Sequence, residues 1–334
     1  MSDCMAMKKY DYIRRISMTS KERVEYALSF KEADRMPFNF WMDRRMLEDY
    51  DKKFGEDFRV NHYDADVIEV FPILAWPEGE SEMRDGTCWR IKPLLEDWSK
   101  ADELVMPEVT EDTYADIRRN LEKYPDKAVF VNIPGPFTIL NAIRLLDNVY
   151  YDVYDYPEEM HRLIKRIMDI QNEVIKEIVK MPITAVYFQD DIASSKGVML
   201  APQMLDEFVF DYFKEGIAAA KAAGKFVVFH SDGNVTDVLD RLVELGINAV
   251  NPLQPEFNDF EAFKKKYHRR LAVYGGMDNT KIIPLSTAGE VRAHVRDVYN
   301  KLGAGGGLIL SSHDIPIYCP QENVDAMVEE ILSL

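Results

Sequence analysis

Short apolar runs rich in β-branched and aromatic residues recur along the chain, each followed after a brief polar break by a segment whose apolar residues return every three or four positions. The runs are Met36 to Trp41, Ala65 to Phe71, Ala128 to Asn132, Thr184 to Gln189, Lys225 to His230, Asn248 to Asn251, Leu271 to Gly275 and Gly307 to Leu310. Each has strand length, and the pattern between them is helical. Strands alternating with helices pair in parallel, and eight such units are what a closed barrel requires. The expected fold is therefore a (β/α)8 TIM barrel.

Caps sharpen the helix boundaries. Thr19 and Ser20 precede a short helix over Lys21 to Ser29, and Thr138 is the expected cap after the prolines of Ile133-Pro134-Gly135-Pro136-Phe137. Pro157 and Pro202 sit where a first helical turn tolerates proline, and Gly224, Gly246 and Gly303 sit where helices stop. Between Pro157 and Lys180, Met160, Leu163, Ile164, Ile167, Met168, Val174, Ile175 and Ile178 draw one stripe, expected to face the barrel. Met1 to Ser17 has no clear period and reads as an extension. Residues 1–34 are thus expected as an extension with one helix, and 35–334 as a single barrel. A small β excursion near Gly86, Cys88, Trp89 and Ile91 is expected inside an insertion at 76–106.

Composition narrows the function classes. With 334 residues, 47% hydrophobic and 30% charged, the chain has ample material for a core. A formal net charge of -17 argues against nucleic acid, whose binding draws on Lys and Arg neutralising phosphates. No run is long and apolar enough for a bilayer. Three cysteines, Cys4, Cys88 and Cys319, and no apolar leader lead us to expect a cytoplasmic protein without disulfides.

In such barrels the strand bodies fill the interior, so reactive groups come from the C-terminal strand ends. There the chain places Asn39 and Trp41, Glu69 and Phe71, Asn132, Gln189 with Asp190 and Asp191, His230 with Asp232, Asn251 with Gln254, Met277 with Asp278 and Asn279, and Ser311 to His313. Residues i and i+2 of a strand share a side, which lets His230 and Asp232 point into one space. With His313 they form a candidate three-ligand zinc set that leaves one position open, and Asp190, Asp191, Glu69 and Cys319 are candidates for a further ligand. A plainer reading stays open, in which strand-end histidines cap loop backbone or hold a substrate by hydrogen bonds. Asp190 and Asp191 read either as catalytic groups or as one helix cap and one solvated charge. Asn39, Trp41, Phe71, Asn132, Gln189 and Asn251 are the expected substrate contacts, with Phe40, Trp41 and Phe71 walling an apolar pocket.

At these positions the chain resembles the uroporphyrinogen decarboxylase superfamily over nearly its whole length. The landmarks are Asp34-Arg35-Met36-Pro37, Gly135-Pro136-Phe137-Thr138, Asp190-Asp191, Leu200-Ala201-Pro202 with Glu207-Phe208, His230-Ser231-Asp232-Gly233-Asn234, Gly275-Gly276-Met277-Asp278, Gly306-Gly307, Ser312-His313 and Pro320-Gln321-Glu322-Asn323. Decarboxylases of that superfamily carry an arginine-bearing segment just after the first strand, and Trp41-Met42-Asp43-Arg44-Arg45 departs from it. The chain resembles more the branch of corrinoid-dependent methyltransferases.

That resemblance implies methyl transfer between a small O-, N- or S-methylated substrate and cobalamin carried by a separate protein, assisted by Zn2+. His-x-Cys and a later Cys hold zinc in coenzyme M enzymes of the branch; the corresponding positions here look like His230, Asp232 and His313. Oxygen and nitrogen in place of thiolate make a harder site, which favours an ether or amine donor over a thiol acceptor. Asp190, Asp191 and His230 are the catalytic residues implied, and a homodimer is in keeping with the family. Two alternatives stand beside this: decarboxylation of a tetrapyrrole or other carboxylate, and a non-catalytic barrel that binds a corrinoid or porphyrin.

Overall fold

A computed structural model of the protein describes residues 17–84 and 87–334. Of the expected extension, all but Ser17 lies outside the described residues, as do Cys4 and Gly86. Eight parallel strands follow the predicted runs: β1 (Phe38–Met42), β2 (Val67–Val70), β3 (Ala128–Pro134), β4 (Ala185–Gln189), β5 (Phe226–His230), β6 (Ala249–Asn251), β7 (Ala272–Gly276) and β8 (Leu308–Ile315). Their order in the sheet is β1-β8-β7-β6-β5-β4-β3-β2, with β1 and β2 meeting without a hydrogen-bonded ladder, and helices clothe the outside. This is the (β/α)8 barrel.

Strand alternation divides the apolar residues into two layers. Inward-facing Val67, Phe130, Tyr187, Val228, Tyr274 and Ile309 fill the interior, while the residues between them, such as Val129, Val131, Phe188 and Phe229, face the helices. The expected stripe lies on the helix Pro157–Ile178, and all eight of its residues are buried. Pro157 and Pro202 each open a helix, and Gly246 ends one in the left-handed conformation. The expected β excursion is an antiparallel hairpin of Glu80–Arg84 and Thr87–Lys92. β8 runs to Ile315, five residues beyond the Leu310 expected from its apolar run, because the polar residues that follow still keep strand conformation.

Helix α1 (Ser20–Leu28) begins in a capping box, in which the Thr19 side chain accepts from the Glu22 amide and the Glu22 carboxylate accepts from the Thr19 amide. Its Val24, Ala27 and Leu28 pack with the barrel interior. Asp66, just before β2 and without solvent exposure, anchors it. That carboxylate accepts from Arg23 Nη1 at 2.6 Å, Arg35 Nη1 at 2.6 Å and the Phe38 amide at 3.0 Å. One buried anion thus ties α1, the approach to β1 and the start of β2. Farther along the same joint, Arg59 Nη1 donates to the Phe40 carbonyl at 3.1 Å. No helix among the described residues is long and apolar enough to cross a membrane.

Removing the Asp66 carboxylate leaves two guanidinium groups beside it without their shared partner. Asp66→Ala is therefore expected to destabilise the protein by about 3–5 kcal/mol, read as a shift of the urea unfolding curve.

Candidate functional site

Strand β5 ends at His230, whose imidazole is buried. Its Nδ1 lies 2.7 Å from Asn251 Oδ1, at the end of β6. The orientation of that amide is fixed from its other side, where Asn251 Nδ2 donates to the Tyr274 carbonyl at 2.6 Å. Oδ1 is therefore the acceptor, and His230 Nδ1 carries the proton. The buried Tyr187 hydroxyl donates to the same oxygen at 2.6 Å. His230 Nε2 is left to face the loops, 3.4 Å from Asp191 Oδ1.

Asp232 and His313 complete the cluster. His313 Nδ1 lies 3.6 Å from Asp232 Oδ2, and the two imidazole centroids are 4.8 Å apart. One ligand atom from each of His230, Asp232 and His313 falls within 4.8 Å of the others. Asp232 is past the end of β5, so strand alternation alone does not aim it; the loop does. Ser231 Oγ accepts from the Ile192 amide and donates to the Asp232 carbonyl. The Gly233 amide donates to Gln254 Oε1 at 2.7 Å, and Asn258 Nδ2 donates to the Gly233 carbonyl at 3.0 Å. Gly233 has φ +89°, and a Cβ there would stand 2.5 Å from the Ser194 carbonyl oxygen, so no larger residue keeps this turn.

The charges fit a cation-binding cluster. Burial by itself would lower the His230 pKa, but hydrogen bonding to Asp191 and the nearby Asp191 and Asp232 carboxylates outweigh it and raise the group to about 9. Burial would likewise raise Asp191, whereas its contact with His230 holds it at about 2. Asp232 Oδ1 is buried without any hydrogen-bond partner, an unmet demand that a cation answers. Two imidazoles and a carboxylate are donors zinc takes, with a fourth tetrahedral position left over.

Asp190 stands apart from this cluster. It has no solvent exposure, and its carboxylate accepts from the Phe137 and Thr138 amides and the Thr138 hydroxyl. It caps the helix Pro136–Arg144 from a neighbouring strand end, with burial raising it to about 7. The expected cap, Thr138, lies inside that helix, and Gly135 opens it; a Cβ on Gly135 would stand 2.4 Å from Asp190 Cγ. Of the paired acids, then, Asp190 is the cap and Asp191 faces His230.

The other expected site residues divide. Asn39 and Asn132 are inward and buried. Asn39 Nδ2 donates to the Tyr274 hydroxyl at 2.8 Å and Glu69 Oε1 at 3.3 Å, and that hydroxyl donates to Glu69. Glu69 is thus held on the far side of Tyr274 and is not part of the His-Asp-His group. Nor is Cys319, whose thiol is buried in the outer layer and pushed up to about 11 by that burial. Gln189 is half-buried at the end of β4, next to His230 in the sheet. Trp41 is half-buried under the Arg59 guanidinium, 4.0 Å from its ring centroid. Phe71 is 44% exposed and borders a cavity at the edge of β2. Phe40 does not wall a pocket: it faces outward and packs on Phe58 and Tyr63.

Sequence reasoning missed Tyr187 and Tyr274, whose hydroxyls, inward and one step above Ala185 and Ala272, were the available signal. It also missed Glu256, which pairs with the strand-end residue Asp278 as a second carboxyl pair on the loops after β6 and β7. Burial and the Asp278 carboxylate raise Glu256 to about 7, while Asp278 Oδ1 accepts from the Thr280 and Lys281 amides.

The sequence model of the uroporphyrinogen decarboxylase (URO-D) family matches residues 80–333. The chain belongs to that family. No curated protein matches it significantly. Among solved structures, a methyltransferase from Methanosarcina mazei shares the fold with a TM-score of 0.70 at 14% identity, covering 94% of this chain and 98% of its own. A B12-independent methionine synthase from Shewanella sp. W3-18-1, covering 69% of this chain and 71% of its own at 16% identity, gives a TM-score of only 0.39, too low to bear on chemistry.

Loss of the cap makes Asp190→Ala less stable by about 1–2 kcal/mol in chemical denaturation, with Asp190→Asn recovering part of the loss. Glu256, raised from 4.5, contributes stability that is full below about pH 4.5 and is lost as pH rises through about 7. Glu256→Gln is accordingly expected to flatten the fall of Tm between those pH values relative to the wild type, measured by scanning calorimetry.

Proposed function

We propose that the protein moves a methyl group between a small methylated substrate and a cobalamin carried by a separate protein, at a zinc ion held by His230, Asp232 and His313. The observation that carries this reading is the convergence of those three side chains within 4.8 Å, with His230 Nδ1 committed to Asn251, so that Nε2 becomes the ligand atom once a metal displaces the proton it shares with Asp191. Membership of the URO-D family and the shared fold with a methyltransferase support it. Zinc bound there would supply Lewis-acid polarisation of the substrate heteroatom, improving it as a leaving group.

The chain's own groups do the rest. Asn251 and Tyr187 hold the His230 ring in one orientation. Asp191, ionised beside His230, orients a polar substrate group. Gln189, Asn132 and Asn39 are polar contacts, and Trp41 an apolar one. A cobalamin protein docks over the strand ends, where Asp191, Asp232 and His313 reach solvent. Decarboxylation of a carboxylate calls instead for free cations in the mouth. The arginines after β1 do not supply them: Arg44 is exposed and paired with Glu48, and Arg45 is bonded to Asp43.

Protein exposed to zinc and then desalted is expected to retain about one equivalent by elemental analysis, and His230→Ala and His313→Ala to lose it. Asn251→Ala, which frees the ring, lowers zinc affinity about 10–100-fold. Zinc-loaded protein is expected to convert cob(I)alamin to methylcobalamin, followed by absorbance, with some members of a panel of methyl ethers and methylamines. A wild type that takes up no metal overturns the reading and leaves decarboxylation ahead.

A further inference from the structure

The barrel wall is open at one seam. The Asp66 amide donates to the Phe38 carbonyl at 2.9 Å, and above that rung β1 and β2 share no ladder. The next carbonyl on the same edge of β1, that of Phe40, accepts from Arg59 Nη1. Arg59 comes from the short helix Phe58–Asn61 and lays its guanidinium over the Trp41 ring, so a cation fills the seam where a neighbouring strand would run.

That cation has no matching anion. The Phe40 carbonyl and the Trp41 ring are its partners, and no carboxylate among the described residues pairs with it. Burial pulls its pKa down. Glu69, whose charge most offsets that burial, is itself taken up by the Tyr274 hydroxyl and the Asn39 amide. The other acids nearby are answered by other bases: Asp57 by Lys123 at 2.7 Å and Asp116 by Arg119 at 2.9 Å, while the exposed Glu56 lies 3.5 Å from Lys123. A guanidinium drawn out of water is ordinarily matched by a carboxylate or phosphate, which its planar fork grips through two N–H groups.

The space before Arg59 suits one kind of ligand. Arg59 lines a cavity of about 570 Å³ together with Ile68 and Val70 of β2 and Phe71 just beyond it, a volume within the range of small-molecule sites. Phe71 is exposed there and offers an aromatic face. Trp41 steadies the guanidinium from behind, so little freedom is lost when it takes a partner. We infer that this seam is a binding site for a small carboxylic acid with an apolar body. Arg59 takes the carboxylate and Phe71 packs on the body. The site lies in the barrel wall, outside the His-Asp-His group, and needs no metal there.

Benzoate and benzamide, which differ in charge and little in shape, are compared by saturation-transfer NMR titration of protein kept metal-free with a chelator, so that no ion in the mouth captures the carboxylate. The wild type is expected to bind benzoate about tenfold more tightly. Arg59→Gln is expected to lose that preference, and Arg59→Lys, which keeps the charge without the fork, to retain part of it. Phe71→Ala is expected to weaken both probes alike, and circular dichroism matched to the wild type checks that each variant folds. Equal binding of the two probes in the wild type, or binding of neither, overturns the proposal. So does a benzoate preference that survives whole in either Arg59 variant, or affinities unchanged in Phe71→Ala. Methyl transfer at the metal cluster stands or fails separately, because every measurement here is made without zinc.

Discussion

A parallel sheet that closes on itself has an interior too narrow for anything but side chains, and every second residue of every strand must help fill it. Below the strand ends that demand is met by Val67, Phe130, Val228 and Ile309, with α1 packed against the same cluster. Toward the level of the strand ends the inward positions become polar: Glu69, His230 and Asn251 stand there, while Asn39 and Asn132 lie within β1 and β3. The placement of the chemistry follows from how the barrel is packed.

Within that level, rigidity comes from hydrogen bonds whose directions admit one arrangement. The Tyr274 backbone fixes the Asn251 amide, the amide fixes the His230 proton, and Tyr187 reinforces both. Around the mouth, Ser231, Gln254 and Asn258 hold the turn that carries Asp232. Such a ring of fixed dipoles keeps an imidazole ready for a ligand without reorganisation at the moment of binding.

The barrel was legible because its strands are short, β-branched and evenly separated by helical periods, and the inward polar residues stood out at the ends of those runs. His230, Asp232 and His313 could be nominated together because two are near neighbours in the chain and the third lies close to the end of the last strand. Partnerships were harder to read. Asp190 caps a helix more than fifty residues upstream, and no local pattern reveals a bond between separate units. Phe40 and Trp41 are adjacent, yet one faces the helices and the other lies under Arg59; an apolar pair does not say which member is outward. Glu69 looked available as a ligand because nothing in its sequence neighbourhood announces the Tyr274 hydroxyl that reaches it from across the barrel.

The bond from Asp190 to the helix after β3 also bears on how this barrel can be recombined. Each strand and its following helix look like an exchangeable module, but here the third module begins on a carboxylate owned by the fourth, and Gly135 is shaped to receive it. A chimera with its crossover between residues 138 and 190 separates lock from key. Grafts that move both modules together preserve the fit.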